Sequence, residues 1–212
     1  MLDRLTERFP DAHIELSYDE ADVWQLLVAV VLSAQCTDAK VNATTPALFE
    51  RFPDLDAFAR ARPSQIKPYI ASLGLAPTKA RRLVDVARQL QSEHGGVVPR
   101  ARDALEALPG IGRKSASVIL ANAFGVPALA VDTHVGRVSR RMGLTTQQDP
   151  SKVEAELEAL WPSSRWLHAH HALIWHGRRV CKARKPLCDE CPVTDLCPRV
   201  GVAEPLARSP KL

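Results

Sequence analysis

Leu105-Glu-Ala-Leu-Pro-Gly-Ile-Gly-Arg-Lys-Ser-Ala-Ser-Val-Ile-Leu120 holds a helix end, a tight turn and a helix start in one short run. Pro109 stops a first helix. Gly110 and Gly112, on either side of Ile111, permit a hairpin with exposed backbone N–H groups. A second helix is expected from about Arg113 to Phe124. The exposed N–H groups and the positive end of that helix together make a site for a phosphate. A helix-hairpin-helix of this kind grips a nucleic-acid backbone without reading its sequence. A plain turn between two helices would use the same Pro-Gly pair.

The pattern around the hairpin is helical almost throughout. Trp24, Leu27, Val28, Val31, Leu32 and Gln35 keep the i, i+3, i+4, i+7 spacing, as do Ala80, Leu83, Val84, Ala87 and Leu90. Val153, Leu157, Leu160 and Trp161 form another stripe, begun by Pro150-Ser151. Asp103-Ala-Leu-Glu106 has capping-box spacing, which makes Asp103 the expected cap of a short helix. Strand-like alternation is confined to two- and three-residue runs such as Val97-Val98. The expected class is all-α, with about ten helices. The charge-free run from Val23 to Thr37 falls short of the roughly 20 residues a membrane span needs. It reads as a buried helix. The N-terminus is charged from Asp3 onward, so a cytoplasmic protein is expected, nucleoid-associated if prokaryotic.

Twenty-eight basic against 24 acidic residues give a net charge of +4, a mild sign of an anionic partner. Arg178, Arg179, Lys182, Arg184 and Lys185 concentrate that charge, and Lys79, Arg81 and Arg82 form a smaller group. Either group could equally be a solvated helix face.

Lys114 falls in the first turn of the helix after the hairpin. The macrodipole and Arg113 disfavour an ammonium there, and an amine nucleophile attacks only in its neutral form. Asp132, in Val131-Asp-Thr-His134, opens a further helix and should cap it through the N–H of His134 or Val135. One carboxylate can cap a helix and face a cleft. Cys181, Cys188, Cys191 and Cys197 are spaced C-x6-C-x2-C-x5-C. Four thiolates so placed indicate a metal site, iron–sulfur or zinc. A single C-x2-C between longer loops leans toward an iron–sulfur cubane, because structural zinc more often uses two such knuckles. His168, His170, His171 and His176 share a helix without a carboxylate and read as packing residues. Cys36 reads as a small buried hydrophobe.

Taken together, these residues resemble the endonuclease III family of DNA glycosylases over nearly the whole chain. The matching stretches are Leu32-Ser-Ala-Gln-Cys-Thr-Asp38 with Val41-Asn42, Gly74-Leu75 with Lys79-Ala80, and Leu105 through Ala116. Val131 through His134, His171 through Gly177 and the cysteine run complete the match. The resemblance implies two helical domains with a DNA-binding cleft between them. A six-helix barrel with the helix-hairpin-helix would span residues 16–127. Residues 1–15 and 128–212 would form a domain around a [4Fe–4S] cluster held by the four cysteines.

The activity the resemblance implies is removal of oxidised pyrimidines from double-stranded DNA, coupled to cleavage at abasic sites. Lys114 would attack C1′ and form a Schiff base. Asp132 would accept the lysine proton or stabilise positive charge on the sugar. Leu75 would be an apolar wedge and Gln35 a polar filler where the damaged nucleotide has left the stack. Gly110, Ile111, Gly112 and Arg113, with Arg184 and Lys185, would hold phosphates. The chain is expected to act as a monomer away from membranes. Ala76-Pro77 departs from the family pattern, and Pro77 should stiffen the wedge loop and remove a donor. An adenine-mismatch glycosylase of the same fold is disfavoured. It would lack Lys114 and would need a carboxylate within Val28–Leu32, which is wholly apolar. A pure electron carrier is excluded by size. A non-catalytic iron–sulfur DNA-binding module would not need Lys114 with Asp132.

Overall fold

A computed structural model describes residues 1–202 of the chain. Among them are eleven α-helices, three short 3-10 turns and no strand. The helices are α1 (Leu2–Arg8), α2 (Val23–Ser33), α3 (Asp38–Arg51), α4 (Leu55–Arg60), α5 (Pro63–Ile66) and α6 (Ala76–His94). They continue as α7 (Arg102–Glu106), α8 (Arg113–Phe124), α9 (Thr133–Arg141), α10 (Pro150–Leu160) and α11 (Trp166–Arg179). The chain divides into two units, Ile14–Ala130 and Met1–His13 joined with the chain from Val131 onward.

The unit Ile14–Ala130 is organised on α2. Asp22 starts this helix by accepting the N–H of Trp24 at 3.0 Å and of Gln25 at 3.4 Å. Leu26, Leu27, Val28, Ala29 and Leu32 are wholly buried, so α2 is apolar on every side, as its lack of charge predicts. Burying each large aliphatic side chain contributes roughly 1.5 to 3 kcal/mol. α3, α6 and α8 pack around it, α4 and α5 lie on α6, and α7 lies on α8.

The other unit joins α1 and α9 to α11. Phe9, Ala12 and Val180 form a small core there, with Trp175, Leu187 and Cys191 packed on it. Asp149 caps α10 through the N–H groups of Ser151 and Lys152, and Pro150 occupies the first turn, as the sequence indicates. His170, His171 and His176 are buried in α11, in the packing roles expected of them.

One start signal was misplaced. α7 begins at Arg102 after Ala101, with no side-chain cap, and Asp103 lies inside its first turn. There the carboxylate complements the helix dipole instead of capping. Arg102 dominates locally: its guanidinium donates to Ser117 Oγ at 2.9 Å and pairs with Glu106 at 3.6 Å. That bond ties α7 to α8 across the hairpin.

Candidate functional site

The hairpin is held from its middle. Ile111 is 4% exposed while Gly110 and Gly112 face solvent, and the Ile111 N–H donates to Leu108 O at 3.1 Å. The two glycines have different work. Gly110 lies at φ +83°, a backbone conformation that favours glycine, and a Cβ there would stand 2.6 Å from Cδ of the flexible Arg82 side chain, which would have to move. Gly112 has ordinary extended geometry and open space where a Cβ would go. It is the N-cap of α8, and no side chain caps that helix end. A helix start whose N-cap residue offers no side chain suits an anion. Lys114 stands exposed in that turn beside Arg113.

α6 links the hairpin to Gln35 and Leu75. Its Arg82 packs on Gly110. Its N-cap is Leu75, 52% exposed and at φ +62°. Gln35, also exposed, lies at φ +55° between α2 and α3. A left-handed residue with a Cβ costs roughly 1–2 kcal/mol. These two and Arg199 are the described non-glycine residues with positive φ. Pro77 lies in the first turn of α6, where its missing N–H had no helical partner to lose. Its effect is to stiffen the turn behind Leu75.

Two readings from the sequence fail here. Lys79 does not belong to a solvated basic face: it is 1% exposed, and its Nζ donates to Cys36 Sγ at 3.4 Å. Cys36 is half-buried and accepts that bond, so it is not an inert hydrophobe. No spacing rule would have paired residues 43 apart.

Asp132 belongs to the other unit. Its Oδ1 accepts the N–H of Val135 at 2.8 Å and caps α9, and the residue is half-buried. Two arginines on the same face of α9, missed in the sequence, lock this helix to the cysteine segment. Arg137 donates to Gly177 O at 2.8 Å and Cys181 O at 3.1 Å. It also meets His134 Nδ1 at 3.2 Å, and burial holds the His134 imidazole below its usual range. Arg141 donates to Lys182 O at 2.8 Å and Ala183 O at 2.7 Å, with Cys181 Sγ at 3.5 Å. Their i, i+4 spacing behind the Asp132 cap was the available signal.

All four cysteines are free thiols, half-buried, and line one pocket with Met142, Val180 and Leu187. Burial pushes the Cys191 thiol up, and the three other cysteines act in the same direction. Four bare thiolates would repel one another here, and a cationic iron core reverses that. The set of four thiol donors around one pocket suits an iron–sulfur cluster. Arg141 and Arg199 line the pocket and supply positive charge. Arg179, which the sequence grouped with the cluster cations, instead lies 3.6 Å over the Trp175 ring. Arg184 and Lys185 are exposed.

The chain is similar to known proteins. Residues 28–163 match the family model of the HhH-GPD superfamily base excision DNA repair proteins. Residues 181–197 match the iron–sulfur binding domain of endonuclease III. The chain is 46% identical over 195 residues to endonuclease III of Synechocystis sp., covering 92% of this chain and 88% of the relative. It is 42% identical over 197 residues to that of Escherichia coli K12, covering 93% and 92%. A solved structure of a trapped endonuclease III–DNA covalent intermediate, in an estranged-adenine complex, superposes with a TM-score of 0.89. It shows 44% identity and covers 93% of this chain and 92% of its own.

Proposed function

The chain belongs to the endonuclease III family of base-excision DNA repair proteins, and on that premise we propose how its residues divide the work. The protein is a bifunctional DNA glycosylase and abasic-site lyase with a [4Fe–4S] cluster. Its substrate is double-stranded DNA carrying oxidised pyrimidines or abasic sites. Lys114 is the nucleophile. Its neutral amine attacks C1′ and the bond from C1′ to the base breaks; the C1′–O4′ bond then opens to give the Schiff base, and loss of a C2′ proton expels the 3′ phosphate by β-elimination. Asp132 accepts the lysine proton or stabilises positive charge developing on the sugar. Leu75 and Gln35 fill the stack that the extruded nucleotide leaves. The hairpin Gly110–Arg113 seats a phosphate, and Arg184 and Lys185 meet the backbone elsewhere.

Cys181, Cys188, Cys191 and Cys197 would hold the cluster. When bound, it supplies a rigid, charged anchor for the basic segment Lys182–Lys185. Residues 16–127 act as the hairpin-bearing barrel domain and the rest as the cluster domain. Among the described residues no helix is long and apolar enough to cross a membrane. We place the protein as a monomer in the cytoplasm, at the nucleoid in a prokaryote.

The observation that carries this reading is the exposed Lys114 in the first turn of an uncapped helix, directly after the open backbone of Gly112. Replacing Lys114 with Gln keeps the bulk and removes the amine. The variant should fold, hold its cluster and bind lesion DNA. Base release and strand cleavage should fall together by several orders of magnitude, and the borohydride-trapped adduct should vanish. Asp132→Asn should leave a weak adduct. A Lys114→Gln protein that traps on an abasic duplex at wild-type yield would move the nucleophile elsewhere.

A further inference from the structure

The reaction above leaves Cys36 and Lys79 without a role, yet the fold brings them together. Lys79 is 1% exposed in the first turn of α6, where the helix dipole opposes a cation. Buried lysines ordinarily pair with carboxylates. Among the described residues Lys79 has no carboxylate partner, and its Nζ is directed at Cys36 Sγ, 3.4 Å away. Cys36 is half-buried rather than sealed in the core. An amine fixed beside a thiol is the arrangement in which an oxidised sulfur meets nitrogen before it meets a second oxidant.

We propose that Cys36 and Lys79 form an oxidation-responsive pair, in which hydrogen peroxide converts their hydrogen bond into a covalent sulfur–nitrogen link. First, the Cys36 sulfur attacks one peroxide oxygen. The O–O bond breaks, and a sulfenic acid and one water result. Next, the neutral amine of Lys79 attacks the sulfur. The S–N bond forms, the S–O bond breaks, and the hydroxide takes a proton from nitrogen and leaves as a second water. One peroxide is reduced, and the thiol and amine together lose two hydrogens. Two equivalents of an added thiol reverse the link, the first displacing the amine through a mixed disulfide and the second freeing Cys36.

The link would join two particular segments. Gln35 immediately precedes Cys36, and Leu75 lies one helical turn before Lys79, both on left-handed backbone. Tying the connection between α2 and α3 to the start of α6 fixes the spacing of these two side chains. Its effect on DNA rests on the roles proposed for Gln35 and Leu75; the chemistry of the link does not.

The test treats the full-length, cluster-loaded protein with hydrogen peroxide and digests it for mass spectrometry. The peptides bearing Cys36 and Lys79 should appear joined, at their summed mass less two hydrogens. The join should disappear with dithiothreitol, and it should be missing in Cys36→Ser. Processing of a lesion duplex should fall on the order of tenfold to a hundredfold, the scale of a misplacement near 1 Å, and recover with dithiothreitol. Cys36→Ser keeps the cluster and should resist this loss, which separates it from peroxide damage to the cluster. Recovery of Cys36 as sulfinic or sulfonic acid beside unmodified Lys79 would overturn the proposal. A link that forms without slowing lesion processing would overturn the coupling to Gln35 and Leu75, and would leave the borohydride test of Lys114 untouched.

Discussion

Gly110 and Gly112 offer two nearly identical substitutions with opposite expected consequences. Alanine at 110 must adopt φ near +83°, which costs roughly 1–2 kcal/mol for a residue with a Cβ. Its methyl would meet Arg82 at Cδ (2.6 Å), Nε (2.9 Å) and Cζ (3.2 Å). Arg82 must then leave its rotamer, for about 0.5–1.5 kcal/mol more. The lower entropy of the unfolded alanine chain returns roughly 0.4–1 kcal/mol. A net loss of about 2 kcal/mol follows, or a urea midpoint lower by about 1 M at a slope of ~2 kcal/mol/M. Alanine at 112 meets nothing within 4 Å and keeps an ordinary φ. It costs only a poorer N-cap, under about 1 kcal/mol. Its methyl does stand at the open end of α8, so Gly112→Ala should weaken duplex binding more than its stability loss explains. Urea unfolding and a fluorescence-anisotropy titration on each variant separate the two effects. If Gly110→Ala unfolds at the wild-type urea concentration, the hairpin geometry described here is wrong. If Gly112→Ala binds duplex as the wild type does, no phosphate sits at that helix end.

Lys185→Ala should weaken binding to damaged and undamaged duplex alike and lower the slope of log K against log salt by about one; an unchanged slope would turn this segment away from DNA. His171 gives a pH dependence. Burial above all, with His170, His13 and His168 adding like charge, pushes it down to about 3, against 6.5 for a free imidazole. Between those values the unfolded chain binds more protons, so this contribution is complete above about pH 6.5 and is lost as pH falls toward 3, at about 1 kcal/mol per pH unit. Denaturant unfolding at about pH 7 and about pH 5 should show the loss, and His171→Gln should flatten it; equal slopes for the two proteins would assign the acid sensitivity to other groups.

The parts of this molecule legible in the sequence were those written in local spacing. The apolar run of α2, the start of α8 after Gly112, the Asp132 cap and the grouped cysteines each depend on residues within a turn or two of one another. Asp103 shows how such a signal misleads: Ala101 takes the N-cap position, and Asp103 lies inside the first turn of α7. What stayed hidden depended on contacts between distant segments. Lys79 carries the letters of a surface lysine and becomes buried because α6 turns that face toward the segment after α2. Arg137 and Arg141 went unread in the sequence, because their carbonyl partners lie 40 or more residues away. The left-handed backbone of Gln35 and Leu75 was invisible, since neither residue type favours it.

Those two backbone positions matter to anyone who would engineer the protein for heat resistance. A search for stabilising changes would select Leu75→Gly and Gln35→Gly early, because glycine relieves left-handed strain and, at 75, removes an exposed apolar side chain. Each choice would raise the melting temperature while deleting a side chain assigned to the duplex. A screen scored on thermal survival alone would therefore drift toward a sturdier protein with a blunted grip on damaged DNA, and its library should hold positions 35 and 75 fixed.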